Sequence, residues 1–152
     1  SYGVGTKLVT GSGRPTAALV YKLVEREGAD GTMEEVAKFS SGGKSTVGGR
    51  KWAGRILRSE GTAAEELVVA SSSQDEGMSA LSQAGARPLQ VLLVDEGRIV
   101  EEHRGKEALS AAAERHRASR AELPYDAWRL SDGESALPTL HVDLDGRGAT
   151  RR

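Results

Sequence analysis

The sequence contains no cysteine, which excludes disulfide scaffolds, cysteine nucleophiles and cysteine-based zinc sites. It also lacks long apolar runs, since a stretch such as residues 89–94 is far shorter than the roughly 20 residues that span a bilayer. No basic segment followed by an apolar stretch opens the chain, so nothing indicates secretion. We therefore expect a cytoplasmic protein that does not contact a membrane.

An excess of charge of one sign is also missing. The chain has 21 Lys and Arg against 22 Asp and Glu, a formal net charge of −1. Bulk electrostatics therefore give no reason to expect nucleic-acid binding. The 152 residues suffice for one modest hydrophobic core, and 38% hydrophobic with 28% charged residues excludes a disordered chain.

Glycine, by contrast, is abundant and unevenly distributed. Of the 19 glycines, 11 lie within the first 54 residues. Clustered glycines are typical of turns or of a backbone that closely approaches a ligand. The chain also opens abruptly on residues 1–6 (SYGVGT) without an initiator methionine. We interpret the sequence as part of a longer polypeptide whose preceding residues are missing.

Hydrophobic patterning predicts mostly β-structure. Residues 16–24 are apolar and β-prone, which favours a buried strand. Two hairpins with short glycine-containing loops are predicted. The first joins residues 52–58 and 65–70 through residues 59–62, and the second joins residues 88–94 and 98–102 through residues 95–97.

One helix is predicted, over residues 106–123. Apolar side chains recur there at three- and four-residue spacing, and Pro124 ends the pattern. The polar, serine-rich residues 71–86 show no clear period and are interpreted as a loop. The fold class is therefore α+β, antiparallel and β-rich with one amphipathic helix. The apolar face of that helix comprises Ala108, Leu109, Ala112, Ala113 and His116.

The Gly3-Val4-Gly5-Thr6 motif is the first candidate for chemistry. Converging backbone N–H groups and a threonine hydroxyl are typical of loops that bind a phosphate. The motif is not a dinucleotide fingerprint, because Leu8 stands where the third glycine would be. A tight turn between two packed elements would account for the same residues.

The second candidate is a run of basic residues without an acid, which we call the basic strip. Two Gly-Gly pairs lie within it. A basic, glycine-rich loop attracts multiply charged oxyanions, whereas a solvated edge that discourages aggregation would look the same. It is not a Walker A loop, since Lys38 stands where that motif begins with glycine. The basic strip comprises Lys38, Lys44, Arg50, Lys51, Arg55 and Arg58.

Other chemistry-bearing residues form no recognisable site. The three histidines, His103, His116 and His141, share no metal-ligand spacing, and His141 with Asp143 favours a hydrogen-bonded pair. Nothing resembles a nucleophile with its base, so we assign no catalytic residue and no metal ligand. The acid pairs at residues 65–66 and 101–102 are interpreted as exposed strand-end charges, and Trp52 and Trp128 as core or interface anchors.

Taken together, several blocks resemble the C-terminal part of nicotinate phosphoribosyltransferase. The resemblance is strongest over residues 1–60 and continues weakly to residue 142. It implies that residues 1–14 end the α/β barrel-like domain of a type II phosphoribosyltransferase, that residues 15–142 form a C-terminal β-rich region, and that residues 143–152 are a frayed tail. The blocks are YGVGT (2–6), LVT (8–10), VYKLV (20–24), KSTVGGRK (44–51), RAELP (120–124) and PT (138–139).

The resemblance also implies an activity. Enzymes of this family form nicotinate mononucleotide and pyrophosphate from nicotinate and phosphoribosyl pyrophosphate (PRPP), in NAD salvage. They require Mg²⁺, and they couple the reaction to hydrolysis of ATP as co-substrate through a histidine in a preceding segment. They act as homodimers whose active sites draw on both subunits. The resemblance thus implies that this chain alone is inactive and needs the missing N-terminal part.

The site residues that the resemblance implies are few. Gly3, Gly5 and Thr6 would bind the phosphate of the phosphoribosyl group, and Lys22, Lys44 and Lys51 would face the pyrophosphate. The chain departs from the family where Gly48-Gly49 replaces a Pro-Gly pair. The alternative function is a non-catalytic, β-rich anion-binding or interaction module that uses the basic strip.

Overall fold

The computed structural model describes residues 9, 22–37, 47–128, 135–145 and 150–151. The chain divides into two compact units, Ser1–Gly48 and Gly49–Arg152. In the first unit, β1 (Glu25–Glu27) and β2 (Met33–Glu35) form an antiparallel hairpin. Its turn is stabilised locally, because the Asp30 carboxylate accepts hydrogen bonds from the hydroxyl and the backbone N–H of Thr32, at 2.7 and 3.0 Å. These bonds hold the pKa of Asp30 below its usual value.

The second unit is built on a mixed sheet with helices, which confirms the α+β class. Five strands lie in the order β5-β3-β4-β8-β9, and a separate two-stranded sheet pairs β6 with β7. The β4–β8 pair is parallel, and the other pairs are antiparallel. The elements are β3 (Lys51–Leu57), β4 (Ala63–Ala70), α1 (Gln74–Gln83), β5 (Arg87–Pro88), β6 (Val94–Asp95), β7 (Arg98–Ile99), α2 (Gly105–Ala121), β8 (Thr139–Asp143) and β9 (Thr150–Arg151), with short 3₁₀ turns at Glu101–His103 and Tyr125–Trp128.

The first predicted hairpin is confirmed as β3–β4. The Arg58 N–H donates to the Thr62 carbonyl at 2.8 Å, and Gly61 adopts a positive φ of 86° that favours glycine. The Arg58 guanidinium also donates to the Ala63 carbonyl at 2.8 Å. In the same turn, backbone hydrogen bonding and the Thr62 hydroxyl lower the pKa of Glu60. The turn is thus fixed by its own side chains.

The predicted loop over residues 71–86 is wrong, because Gln74–Gln83 form helix α1. Ser73 caps this helix, its hydroxyl accepting the Glu76 N–H at 3.3 Å. Gly77 lies so close to Trp52 that a Cβ there would fall 1.9 Å from the indole Cδ1. The helix depends on a cap and on close packing rather than on a wide apolar face, so hydrophobic periodicity misses it.

The core lies between the sheet and α1. The indole of Trp52 packs against it and donates to the Ser71 carbonyl at 3.2 Å, as expected for a core anchor. Gly54 of β3 is needed at this layer, since a Cβ there would lie 2.9 Å from Ala86 and 3.0 Å from Leu81. The buried core residues are Leu67, Val69, Leu81 and Ala86, with Trp52, Ile56, Ala80, Leu140 and Val142 packed against them.

Helix α2 confirms the predicted helix to within two residues at each end. Its apolar face is not buried as the periodicity suggests: none of its described residues is buried, and the Leu109 side chain is 72% exposed. Among the described residues, no helix is both long and apolar enough to cross a membrane.

The second predicted hairpin is only partly right. The turn forms around Glu96 and Gly97, but residues 88–94 are not one strand, because Pro88 pairs with Gly54 of β3 and Val94 belongs to β6. Residues 101–102, predicted as strand, belong instead to the 3₁₀ turn Glu101–His103.

Two further predictions concern the ends of the chain. Residues 16–21 of the predicted buried strand lie outside the described residues, and the described residues 22–24 are not a strand. The predicted boundary at residue 14 also lies outside them and stays a prediction. In the tail, Thr150–Arg151 pair with His141 and Leu140 of β8.

Candidate functional site

The predicted phosphate site lies mostly beyond the described residues. Gly3, Gly5 and Thr6, as well as Lys44, belong to the part of the chain that the structure does not describe. The two described candidates are in different units: Lys22 is exposed in the first, and Lys51 begins β3 in the second. The phosphate and pyrophosphate assignments therefore stay predictions.

Lys51 lies at a glycine corner. Its Nζ donates to the Gly49 carbonyl at 2.7 Å, and Gly49 has a positive φ of 79°. An ammonium has three donors, so this bond uses one of them. The hydrogen bond fixes the ammonium beside the Gly-Gly pair that replaces the family's Pro-Gly. The structure thus places the Lys51 ammonium beside the Gly49 carbonyl.

The basic strip does not present all its charges to solvent. Arg50 and Arg58 are both exposed, and the Arg58 guanidinium also donates to the Ala63 carbonyl within the β3–β4 turn. Arg55, in the middle of β3, is instead buried, with only 7% of its surface exposed. Because strand residues alternate between faces, adjacent positions in the sequence need not contribute to one surface. Lys38 and Lys44 are not among the described residues.

Arg55 is the buried centre of an ion-pair cluster, which we call the Arg55 cluster: Arg55, Glu66, Arg87 and Glu122. The two carboxylates are partly buried, and Arg87 is exposed. The Arg55 guanidinium donates to Glu66 and to Glu122, each at 2.9 Å. Glu122 also pairs with Arg87. Two cations and two carboxylates cancel, so the cluster carries no net charge to attract an anion. The interpretation of Glu66 as an exposed strand-end charge is wrong, because its carboxylate is the cross-strand partner of Arg55.

The Arg55 cluster joins the end of α2 to the sheet. The guanidinium donates to the carbonyl and hydroxyl of Ser119, at 2.7 and 3.0 Å. The Ala63 N–H at the start of β4 donates to the Glu122 carbonyl at 2.7 Å. Buried ion pairs add less to stability than their geometry suggests, but removing one partner leaves an uncompensated charge. We therefore interpret the cluster as structural.

Sequence patterning could have found part of this cluster. In the predicted β3–β4 hairpin, residues 55 and 66 face each other across the strands, and opposite charges at such positions form favourable pairs. Counting charges along the chain hides that pairing, because it assigns Arg55 to the basic strip. Glu122 lies 67 residues from Arg55 in the sequence, and no local signal connects the two.

An open cavity of about 390 Å³ lies beside the cluster. At one wall the Arg120 guanidinium stands 4.3 Å from the centroid of the Trp128 ring. The Trp128 indole N–H donates to the Leu123 carbonyl at 3.3 Å, and about half of the side chain is exposed. The walls offer a cation, an aromatic face and one imidazole. The lining residues are Arg55, His116, Ser119, Arg120, Leu123, Ala127 and Trp128.

The histidines do not converge on a metal site. Within the described parts of the chain, no three His, Asp or Glu side chains could hold a metal ion together. His103 lies 3.5 Å from the Glu102 carboxylate, His116 lines the cavity, and His141 lies in β8. The pairing of His141 with Asp143 stays a prediction.

Comparison with known proteins confirms the resemblance that the motifs indicate. No protein-family model matches the chain. The chain is 42% identical over 142 residues to nicotinate phosphoribosyltransferase pncB1 of Mycobacterium tuberculosis strain CDC 1551 / Oshkosh, and equally to the protein of that name in strain ATCC 25618 / H37Rv. Each match covers 93% of this chain and 28% of the relative. The chain thus spans less than a third of the length of the relatives that it matches.

Proposed function

We propose that this chain is the C-terminal part of a nicotinate phosphoribosyltransferase and supplies residues that bind the phosphates of PRPP. The observation that carries the proposal is the 42% identity along 93% of the chain. The reaction joins nicotinate to the ribose of PRPP and releases pyrophosphate. In this proposal the chain alone binds PRPP weakly and forms no product, because the residues that hold the nicotinate ring lie in another segment.

The Gly3-Val4-Gly5-Thr6 motif binds the phosphate ester of the phosphoribosyl group. In motifs of this kind, successive backbone N–H groups donate to phosphate oxygens, and glycine lets the backbone approach without a side chain in the way. The Thr6 hydroxyl adds one further donor. Hydrogen bonds to an ionised phosphate are about twice as strong as those between neutral groups, so this motif supplies affinity for PRPP.

The lysines act on the leaving group. When the bond to pyrophosphate breaks, negative charge develops on the departing oxygen, and fixed cations stabilise that charge. Two structural observations support this role: the Lys22 side chain is exposed, and the Lys51 ammonium is held at the Gly49 corner. We assign the same role to Lys44 because it lies between the two Gly-Gly pairs of the basic strip in the sequence.

Among the described residues, no three His, Asp or Glu side chains come together to hold a metal ion. Magnesium commonly binds through substrate phosphates, so we assign Mg²⁺ to the pyrophosphate of PRPP rather than to residues of this chain. Coupling to ATP and assembly into a homodimer are likewise assigned to the complete enzyme. None of the three histidines of this chain takes the role of the phosphorylated histidine.

A chimeric enzyme tests the proposal. In it, this chain replaces the matched segment of the Mycobacterium tuberculosis relative, and formation of nicotinate mononucleotide from nicotinate and PRPP is measured. We expect an active chimera, in which Thr6→Val weakens PRPP binding by about 1–3 kcal/mol because a phosphate oxygen loses a charge-assisted hydrogen bond. Thr16→Val is the matched control, since it makes the same change outside the motif.

Two results would count against the proposal. An inactive but folded chimera would show that this chain cannot serve as part of such an enzyme. An active chimera in which Thr6→Val leaves PRPP affinity unchanged would remove Thr6 from the phosphate site. The alternative of a non-catalytic anion-binding module has less support, because the Arg55 cluster neutralises one cation of the basic strip and the β3–β4 turn engages another.

A further inference from the structure

One exposed segment of the second unit is strongly apolar. Single exposed apolar residues are ordinary, but a contiguous group of them marks an interaction surface. The segment runs from residue 91 to the end of β7, and we call it the apolar hairpin. Its large apolar side chains are between 42% and 60% exposed: Val91, Leu92, Leu93, Val94 and Ile99.

The apolar hairpin has a defined backbone. Val94 pairs with Ile99 and Asp95 with Arg98, and the Val100 N–H donates to the Leu93 carbonyl at 3.0 Å. Glu96 and Gly97 both have positive φ angles, 43° and 76°, which is the geometry of a tight two-residue hairpin turn. Val94 and Ile99 are therefore presented by a short, ordered β-hairpin, and Val91, Leu92 and Leu93 lie in the non-strand segment that leads into it.

Both faces of the apolar hairpin carry apolar residues at its base, whereas the charged pair Asp95 and Arg98 occupies one face at the tip. The hydrogen bond from the Val100 N–H to the Leu93 carbonyl continues the pairing one residue beyond β6, so Leu93 lies on the face opposite Val94, and both residues are exposed. Strands with apolar residues on both faces are typical of positions covered on both sides. An isolated two-stranded hairpin is at best marginally stable in water. The hairpin therefore requires neighbours on two sides, and the described residues leave both sides exposed.

We propose that the apolar hairpin inserts into an apolar cleft of the remaining part of the phosphoribosyltransferase subunit. This inference rests on the proposed function, since the cleft belongs to the portion of the relatives that this chain does not match. That portion is large, because the chain spans 28% of their length. The charged tip, with Asp95, Glu96 and Arg98, stays in solvent at the mouth of the cleft.

A second copy of the hairpin is the less suitable occupant. In a two-fold contact the same surface meets itself, so one face of each hairpin would be covered and the other left in water. Pairing edge to edge would extend the sheet and leave both faces exposed. A cleft within one polypeptide encloses both faces at once, which is what the apolar pattern requires.

Amide hydrogen exchange tests the insertion. Exchange at residues 91–94 is measured in this chain alone and in the chimera with the Mycobacterium tuberculosis relative. We expect exchange to slow by at least about tenfold in the chimera, because docking makes opening of the hairpin costlier. Unchanged exchange in an active chimera would overturn the insertion while leaving the proposed function standing. Slower exchange in an inactive chimera would support the insertion and count against the proposed function.

A substitution provides the second readout. Leu92→Asp is expected to leave the melting temperature of this chain alone unchanged and to lower that of the chimera, because the charge is buried only after docking. Ser82→Asp, on the exposed side of α1, is the control and should change neither. If this chain alone instead forms a dimer that Leu92→Asp dissociates, the occupant is a second copy and the proposal is wrong.

Discussion

The two hairpins of the second unit differ in what covers them. The β3–β4 hairpin lies at the centre of the five-stranded sheet, with Leu67 and Val69 buried under α1. The apolar hairpin stands in its own two-stranded sheet with its large side chains exposed. The same local signals, apolar strands around a glycine-containing turn, predict both. Local sequence thus encodes the hairpin, while its surroundings decide whether it becomes core.

The strand patterns already distinguish the two hairpins. In β3, Trp52, Gly54 and Ile56 lie on the face towards α1, whereas Arg55 lies on the other face, in the Arg55 cluster. Residues 91–94 have no such alternation, being apolar at four successive positions. Continuous apolar strands are typical of burial on both sides, which the described residues do not supply.

The largest expected effect compares a core leucine with one of the apolar hairpin. Leu81→Ala should destabilise this chain by about 2–5 kcal/mol, because it leaves a cavity beneath the sheet where Leu81 is 1% exposed. Leu92→Ala should change stability by less than about 0.5 kcal/mol, as exposed substitutions usually do. Urea unfolding followed by circular dichroism measures both. Equal losses for the two variants would show that the hairpins are equally packed.

A smaller effect is expected from the Arg55 cluster, which anchors the well-packed hairpin to α2. Glu122→Gln should destabilise the chain by about 1–3 kcal/mol, because Arg55 and Arg87 lose a shared charged partner in a largely buried position. Glu114→Gln is the matched control on α2, since the exposed Glu114–Arg117 pair contributes at most about 1 kcal/mol. Urea unfolding at low and high salt measures the stability of both variants. Equal losses of stability for Glu122→Gln and Glu114→Gln would contradict a special role of the Arg55 cluster.

The smallest effect concerns the β1–β2 hairpin of the first unit, whose turn is stabilised by local hydrogen bonds. The pKa of Asp30 is lowered by the Thr32 hydroxyl and backbone N–H, so the ionised carboxylate favours the folded turn. That stabilisation is present above the unfolded pKa and is lost as the pH falls through the lowered folded value. The Asp30 carboxyl shift, followed by nuclear magnetic resonance, should titrate at lower pH than in an unfolded peptide of residues 22–37. If Asp30 of the folded chain titrated at the same pH as in the peptide, or at a higher pH, the hydrogen bonds from Thr32 would not stabilise its ionised carboxylate.

Much of the fold could be predicted because its signals are local. Helix α2 and both hairpin turns follow from periodicity, Pro124 and the glycines. Helix α1 was missed because its evidence is the Ser73 cap and the close approach of Gly77 to Trp52, rather than an apolar period. Of these two features, only the Ser73 cap can be recognised in the sequence, as a serine three residues before a glutamate.

The site was predictable to a smaller extent. The motif at residues 3–6 was identified from its glycines and threonine, but it lies outside the described residues. The role of Arg55 could not be deduced from the basic strip. The face of the sheet on which Arg55 lies depends on strand register, and its partner Glu122 is distant in the sequence. Long-range pairing of this kind is decided by tertiary structure.

The most direct test of the central claim is a nuclear magnetic resonance titration of this chain with PRPP. We expect saturable changes at the amides of Gly3, Gly5 and Thr6, because in the proposed function these groups donate to the phosphate ester. Inorganic polyphosphate is the control, since it carries charge without the phosphoribosyl group. Diffuse changes centred on Arg50, equal for PRPP and polyphosphate, would contradict a phosphoribosyl site and favour the anion-binding module.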